Sequence, residues 1–174
     1  MLRSLRIENF VLIRGADLVF GPRLNAVTGE TGAGKTILAQ AIGLLLGAPG
    51  DAGYLGPGAS EAYVEADFDL PEGVLDDEGL ETLAELRPED EDGLVAARRV
   101  FADGRTRAYA WGRGAAREDL AAATKKLYEL NEQRASEGLS TFANPRSLTL
   151  RSQPTLFSQP KARSIRGRAC RLFA

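Results

Sequence analysis

The run Gly29-Glu30-Thr31-Gly32-Ala33-Gly34-Lys35-Thr36 sits between a short apolar segment, residues 24–28, and a helical apolar pattern from Lys35 to Leu46. Its spacing is G-x-x-x-x-G-K-[ST], and a strand before it with a helix after it is the context that spacing requires. Glycines permit a backbone curl in which successive N–H groups converge on one point. The following helix aims the positive end of its dipole at the same place. The expected ligand is a polyphosphate. Residues Gly29, Glu30, Thr31, Gly32, Ala33 and Gly34 form its cradle, Lys35 reaches the β- and γ-phosphates, and the Thr36 hydroxyl is a ligand for Mg²⁺.

The flanks narrow the fold. Residues 2–10 set Leu5 and Ile7 between charged neighbours and read as a half-exposed strand; 16–20 read as a second, closed by Gly21-Pro22. Ile37, Leu38, Ala41, Ile42 and Leu44 to Leu46 give the helix after the loop a broad apolar face, with Gly47 as its C-cap. Residues 48–60 are a glycine-rich loop. In 61–70, Ala62, Val64, Ala66, Phe68 and Leu70 alternate with polar residues, as in a half-buried strand. An acidic insert, 71–93, holds a short helix around 80–86. Residues 94–113 read as a β-hairpin turning at Asp103-Gly104, the pair expected to take the positive φ angles of a tight turn. A helix over 117–130 carries Leu120, Ala123, Leu127 and Leu130 on one side, and periodicity fails after Asn131.

This order gives an α/β fold of the P-loop NTPase type. In a small-molecule kinase the loop follows the first strand and parallel β-α units come next. Here two strands precede segment 24–28, and an antiparallel hairpin follows. That is the layout of the N-terminal lobe of an ABC/SMC-type ATPase head, with a mixed sheet and an antiparallel β-hairpin.

Composition removes other classes. The 174 residues include no histidine, which excludes histidine-based catalysis and histidine-ligated zinc. One cysteine, Cys170, leaves no intramolecular disulfide and fits a reducing cytoplasm. No apolar run approaches the ~18 residues of a membrane span, so no membrane partner is expected. Charges interrupt the N-terminus before a signal-peptide core could form.

At this point the sequence resembles the RecN family of bacterial SMC-like DNA-repair ATPases. The resemblance is carried by "LRIENFVLI", by "LNAVTGETGAGKTIL" and by "IGLLLG" after the loop. It continues through "AYVEADFDL" (62–70), "RRVFADGRTRAYAWGR" (98–113) and "LYELNEQRAS" (127–136). It covers about residues 1–136. It implies ATP and Mg²⁺ as ligands, a role in recombinational double-strand break repair, and association of heads around two nucleotides. The partner is then a complementary C-terminal head lobe or a second head, with DNA bound by the whole family member. A cytoplasmic, nucleoid-associated location follows from the same resemblance. The last matching segment aligns with the family's Q-loop, which makes Gln133 the glutamine reaching toward Mg²⁺ and the attacking water. Asn131-Glu132-Gln133-Arg134 departs there from the family's His-Gly-Gln-His run, and Leu55-Gly56-Pro57-Gly58 stands where the family tends to carry an arginine. Walker B and signature motifs are absent from the sequence, so turnover by this chain alone is not implied.

Other features read two ways. Arg98, Arg99, Arg105, Arg107 and Arg113 on the hairpin could meet DNA or nucleotide phosphates; the solvated face of a hairpin is the simpler reading. Tyr109 and Trp111 could stack on bases, but cover for the face of Arg105 and Arg107 explains them equally. The insert's acids lack the spacing of a metal loop. All 24 acidic residues lie at or before Glu137, while seven of the 22 Lys/Arg follow it. Residues 137–174 therefore read as a basic Ser/Arg/Pro-rich tail outside the fold, disordered or frameshifted. Two alternatives stay open: a stand-alone small P-loop kinase or NTPase, and a non-catalytic truncated remnant.

Overall fold

The computed structural model describes residues 1–21, 25 and 33–142. Most of the expected strand 24–28, the Gly29–Gly32 part of the phosphate loop and the tail from 143 onward lie outside them.

The elements in chain order are β1 (Leu2–Phe10), β2 (Ile13–Val19), α1 (Ala33–Leu45), a single 3₁₀ turn (Ala52–Tyr54), β3 (Glu61–Asp69), α2 (Glu81–Glu85), β4 (Gly93–Phe101), β5 (Thr106–Ala110), β6 (Arg113–Ala115) and α3 (Arg117–Phe142). The six strands form one sheet in the order β2-β1-β3-β4-β5-β6. All five pairings among the described residues are antiparallel. A mixed sheet needs a parallel pair as well, and the apolar run 24–28 lies almost wholly outside the described residues.

Alternation builds the two faces. Ala62, Val64, Ala66 and Phe68 of β3 are buried, as are Leu94, Ala96 and Val100 of β4 and Leu5 and Ile7 of β1. Onto this inner face pack Ile37, Ala41, Leu44 and Leu45 of α1 and Leu120, Ala123 and Leu127 of α3. Burying each such Leu or Ile contributes about 1.5–3 kcal/mol, so this one layer supplies most of the driving force. The outer face is polar and paired with itself. Arg6 bonds Glu8, Tyr63 donates to Glu65 at 2.6 Å, and Arg99 pairs with Glu61 at 3.2 Å. At the sheet end, Arg3 holds Asp69 and Asp92, and the N-terminal ammonium sits 3.2 Å from Asp69.

The turns depart from expectation in instructive ways. Gly104 takes the left-handed conformation, φ +79°, but Asp103 does not. The loop is Ala102–Gly104, closed by Gly104 N–H to Phe101 O (2.9 Å) and Phe101 N–H to Arg105 O (2.9 Å). A three-residue hairpin loop of this kind needs one left-handed residue, not two. Asp103 instead accepts from the Arg105 N–H at 3.0 Å. The two-residue turn sits one hairpin later, at Trp111 (φ +49°) and Gly112 (+76°). Trp111 is pinned there by its N–H to Val95 O (2.8 Å) and its Nε1 to Gly93 O (2.9 Å). It is therefore a structural anchor of β4. Val11 at the β1–β2 tip is also left-handed, φ +52°, which a β-branched side chain resists. Loop 51–56 holds that tip, through Val11 N–H to Tyr54 O, Gly56 N–H to Asn9 O and a Phe10–Tyr54 stack 4.9 Å between centroids.

Helix α3 runs to Phe142, twelve residues beyond the expected end at 130. The apolar face does fade there, but no Gly or Pro interrupts Arg117 to Glu137. Good helix formers continue a helix where an apolar stripe no longer marks it in the sequence.

Candidate functional site

Helix α1 opens with Ala33, Gly34, Lys35 and Thr36, and the last three are exposed. Ile37, next in sequence, is buried at 4% exposure, and Ala41 at 0%. The residues that face solvent thus give way directly to those that seat the helix on the sheet. The cradle residues Gly29, Glu30, Thr31 and Gly32 lie outside the described residues. Before them in sequence stands a cyclic amide pair: Gly21 N–H donates to Asn25 Oδ1 (2.8 Å) while Asn25 Nδ2 donates to Gly21 O (2.9 Å). Asn25 reproduces with its side chain one rung of a strand pair.

The electrostatics of α1 differ from those of α3. The first turn of α3 carries its own acids, Glu118 and Asp119, which suit a helix N-terminus. The first turn of α1 carries no acid and presents Lys35. A helix N-terminus without an acid of its own suits an anionic ligand. Thr36 adds an exposed hydroxyl for Mg²⁺, so the residues present fit both ligands.

The opposite end of α1 has no basic residue in its last turn. Here the cation comes from β4. Arg98, expected on a solvated hairpin face, is buried at 1% exposure. Its position explains this: it shares parity with Leu94, Ala96 and Val100, all inward. Its Nη1 donates to Leu44 O (3.2 Å) and its Nη2 to Thr106 Oγ1 (3.2 Å). Burial pushes its pKa down, Arg117 adds to that, and Glu118 partly opposes it. Thr124 of α3 is fully buried, and its one hydroxyl proton is shared between Leu45 O of α1 at 2.9 Å and Leu120 O of its own helix at 2.8 Å. Gly47, φ +101°, closes the helix with Ala48 N–H to Gly43 O (2.9 Å) and Gly47 N–H to Leu44 O (3.3 Å). A Cβ on Gly47 would lie 2.7 Å from the Ala121 Cβ of α3.

The other hairpin arginines divide. Arg99 is half-buried, its guanidinium 5.2 Å from the Tyr63 ring centroid and 5.8 Å from Tyr109. Tyr109 is thereby occupied within the outer face. Arg105 pairs with Asp103 at 2.5 Å, and Arg107 lies over Phe101 at 5.8 Å. Arg113 donates to Leu86 O at 3.5 Å. Within the insert, Asp77 pairs with Lys126 of α3 and Asp92 with Arg3. Among the described residues no group of three or more acids or thiols is arranged to hold a metal.

Gln133 lies within α3, exposed, and Asn131 to Arg134 are helical there. What joins α3 to α1 is the C-terminal clamp of Thr124 and Ala121. Sequence reasoning missed both Arg98 and Thr124, although Thr124 adjoins the stripe of Leu120, Ala123 and Leu127, and the alternation of Leu94, Ala96 and Val100 marks the face of Arg98.

The chain is similar to known proteins over this same body. The family described as AAA domain matches residues 4–156. The DNA repair protein RecN of Xylella fastidiosa strain Temecula1 is 32% identical over 139 residues, 80% of this chain and 24% of that protein. RecN of Streptomyces coelicolor is 37% identical over 136 residues, 78% of this chain and 23% of that protein. RecN of Mycobacterium tuberculosis strain H37Rv is 38% identical over 144 residues, 76% and 23%. The chain spans about a quarter of the length of these relatives. A solved SMC ATPase, studied for ATP-driven dimerization and DNA-stimulated activation, superposes with a TM-score of 0.54 at 25% identity, covering 70% of this chain and 78% of that one. The Smc head with a coiled coil and joint from Pyrococcus yayanosii gives 0.53 at 25%, covering 70% and 25%. An antiparallel sheet carrying a GKT-headed helix, in a chain this similar to RecN, settles the family. The chain belongs to the AAA domain family, as a RecN-like protein with the fold of the N-terminal lobe of an SMC-type ATPase head.

Proposed function

We propose that this chain is the ATP-gripping lobe of a RecN-like DNA repair ATPase. The observation that supports it is the head of α1: Gly34, Lys35 and Thr36 exposed, no acid in the first turn, and Ile37 and Ala41 locking the helix to the sheet. Gly29 to Gly34 offer amides to the phosphates, and Lys35 neutralises the β- and γ-phosphate oxygens. Thr36 ligates Mg²⁺, and Gln133 serves the γ-phosphate side of the same ion. Held there, Mg²⁺ would offset the charge of the phosphate oxygens. A complementary C-terminal lobe or second head supplies the Walker B and signature groups that this sequence lacks, with DNA as the substrate of the assembled machine. Its place is the cytoplasm, at the nucleoid. Among the described residues no helix is long and apolar enough to cross a membrane.

The test is ATP binding and hydrolysis by the chain, alone and with a complementary lobe. Lys35-dependent binding with negligible turnover alone supports the reading; vigorous turnover by this chain alone overturns the division of labour. The stand-alone kinase reading has no observation in its favour, since all strand pairings after α1 are antiparallel among the described residues.

A further inference from the structure

Arg98 is the largest fully buried side chain among the described residues and carries a charge that ordinary folding logic would exclude. Its two hydrogen bonds go to uncharged oxygens, Leu44 O and Thr106 Oγ1, and its Nε has no partner among the described residues. A core residue chosen for packing would be Leu or Met here. A guanidinium does something neither can: its rigid fork reaches two elements at once.

Those two elements matter. Leu44 is in the last turn of the helix whose first turn bears Lys35 and Thr36. A helix of 13 residues is a rod about 20 Å long, so a shift at one end reappears at the other. Thr106 is the first residue of β5, directly after the loop that carries Asp103 and Arg105. The loop leaving α1 closes over this link: a Cβ on Gly50 would lie 2.9 Å from Thr106 Cγ2 and 3.1 Å from Leu44 Cδ1. The bond to Leu44 O is buried and that to Thr106 Oγ1 partly so, and low local polarity strengthens both.

We propose that Arg98 is a positioning residue that couples the phosphate-loop helix to the β4–β5 hairpin, so that nucleotide at the head of α1 tightens the turn at 101–106. The inference rests on the ATP-binding reading above. Polyphosphate at the head of α1 steadies the seated helix, Leu44 O is steadied with it, and the guanidinium passes that restraint to Thr106. The hairpin tip, bearing Arg105 and Arg107, is then the surface through which the nucleotide state is displayed to a partner.

Backbone hydrogen–deuterium exchange on the full chain, with and without saturating Mg-ATP, tests this. In the unaltered chain ATP slows exchange in residues 44–48 and in 101–106, the latter by about fivefold or more. Thr106→Val keeps the buried charge and the fold but cuts the second arm; residues 44–48 still respond and 101–106 do not. Thr106→Ser, which restores the hydroxyl, restores the response. Arg98→Met loses it as well, and Leu44 O still accepts from Gly47 N–H in that variant. A response at 101–106 that is absent in the unaltered chain, or that persists in Thr106→Val, overturns the coupling. If the unaltered chain does not bind ATP, or binds it equally after Lys35→Ala, the nucleotide reading itself falls and the coupling with it.

Discussion

The two ends of α1 are opposites. The N-terminal end shows Gly34, Lys35 and Thr36 to solvent. The C-terminal end is enclosed, and its carbonyls are taken by protein: Leu44 O by Arg98 and Gly47, Leu45 O by Thr124. A ligand site needs an exposed face, and a helix can present one at its head when its other end is anchored in the fold. The first end is a matter of sequence spacing. The second is a matter of tertiary structure, assembled from β4, α3 and the loop after α1.

Substitutions separate the two ends. The largest effect is expected at the open end: Lys35→Ala lowers ATP affinity by about a hundredfold, the loss of one charged contact to phosphate, with the thermal midpoint unchanged without nucleotide. Loss of binding accompanied by unfolding would mean the open end is not independent of the fold. At the closed end, Gly47→Ala meets both a left-handed φ and the Ala121 Cβ, and is expected to lower unfolding free energy by about 2–3 kcal/mol in denaturant titrations. Thr124→Val keeps shape but removes the donor to Leu45 O, with an expected loss of about 1–2 kcal/mol. Gly104→Ala is the control for backbone strain alone, since nothing lies within 4 Å of the added Cβ; about 1 kcal/mol is expected. A loss at Gly47→Ala no greater than this would remove the Ala121 contact from the account.

The smallest effect lies away from α1. Burial pushes the Asp69 carboxyl up, but Arg3 and the N-terminal ammonium outweigh it and hold the group below the usual carboxylate range. A depressed carboxylate stabilises the fold above its unfolded pKa and ceases to do so as pH falls through its folded value. Stability should therefore decline in acid, with Asp69→Asn flattening that slope by less than about 1 kcal/mol because the group is partly exposed. A steeper slope in Asp69→Asn would contradict the assignment.

Much of the fold was legible in the sequence. The alternation in 61–70 gave β3, the apolar face gave α1, and spacing alone located the exposed Gly34-Lys35-Thr36. What escaped notice depended on partners distant in sequence. Arg98 was read by its charge, when its parity with Leu94, Ala96 and Val100 pointed inward. Thr124 was passed over between Ala123 and Leu127 because a lone hydroxyl in an apolar stripe does not announce an acceptor 79 residues away. The left-handed Val11 runs against local preference and is held by bonds from loop 51–56 and by packing on the core, all distant in sequence. The end of α3 was set too early because loss of an apolar face is a signal about packing, not about helix propagation.

The Gly21–Asn25 pair also has a chemical lifetime. Each of its two bonds uses a different half of the same amide: the oxygen accepts, the nitrogen donates. Hydrolysis of that amide, the slow ageing reaction of asparagine, would put a carboxylate oxygen against the Gly21 carbonyl and turn attraction into repulsion. One ammonia lost there would loosen the entry to the phosphate loop without breaking the chain. Aged preparations should therefore lose nucleotide affinity in step with a mass increase of about one dalton in the peptide bearing Asn25, and Asn25→Asp made outright should show the end state at once.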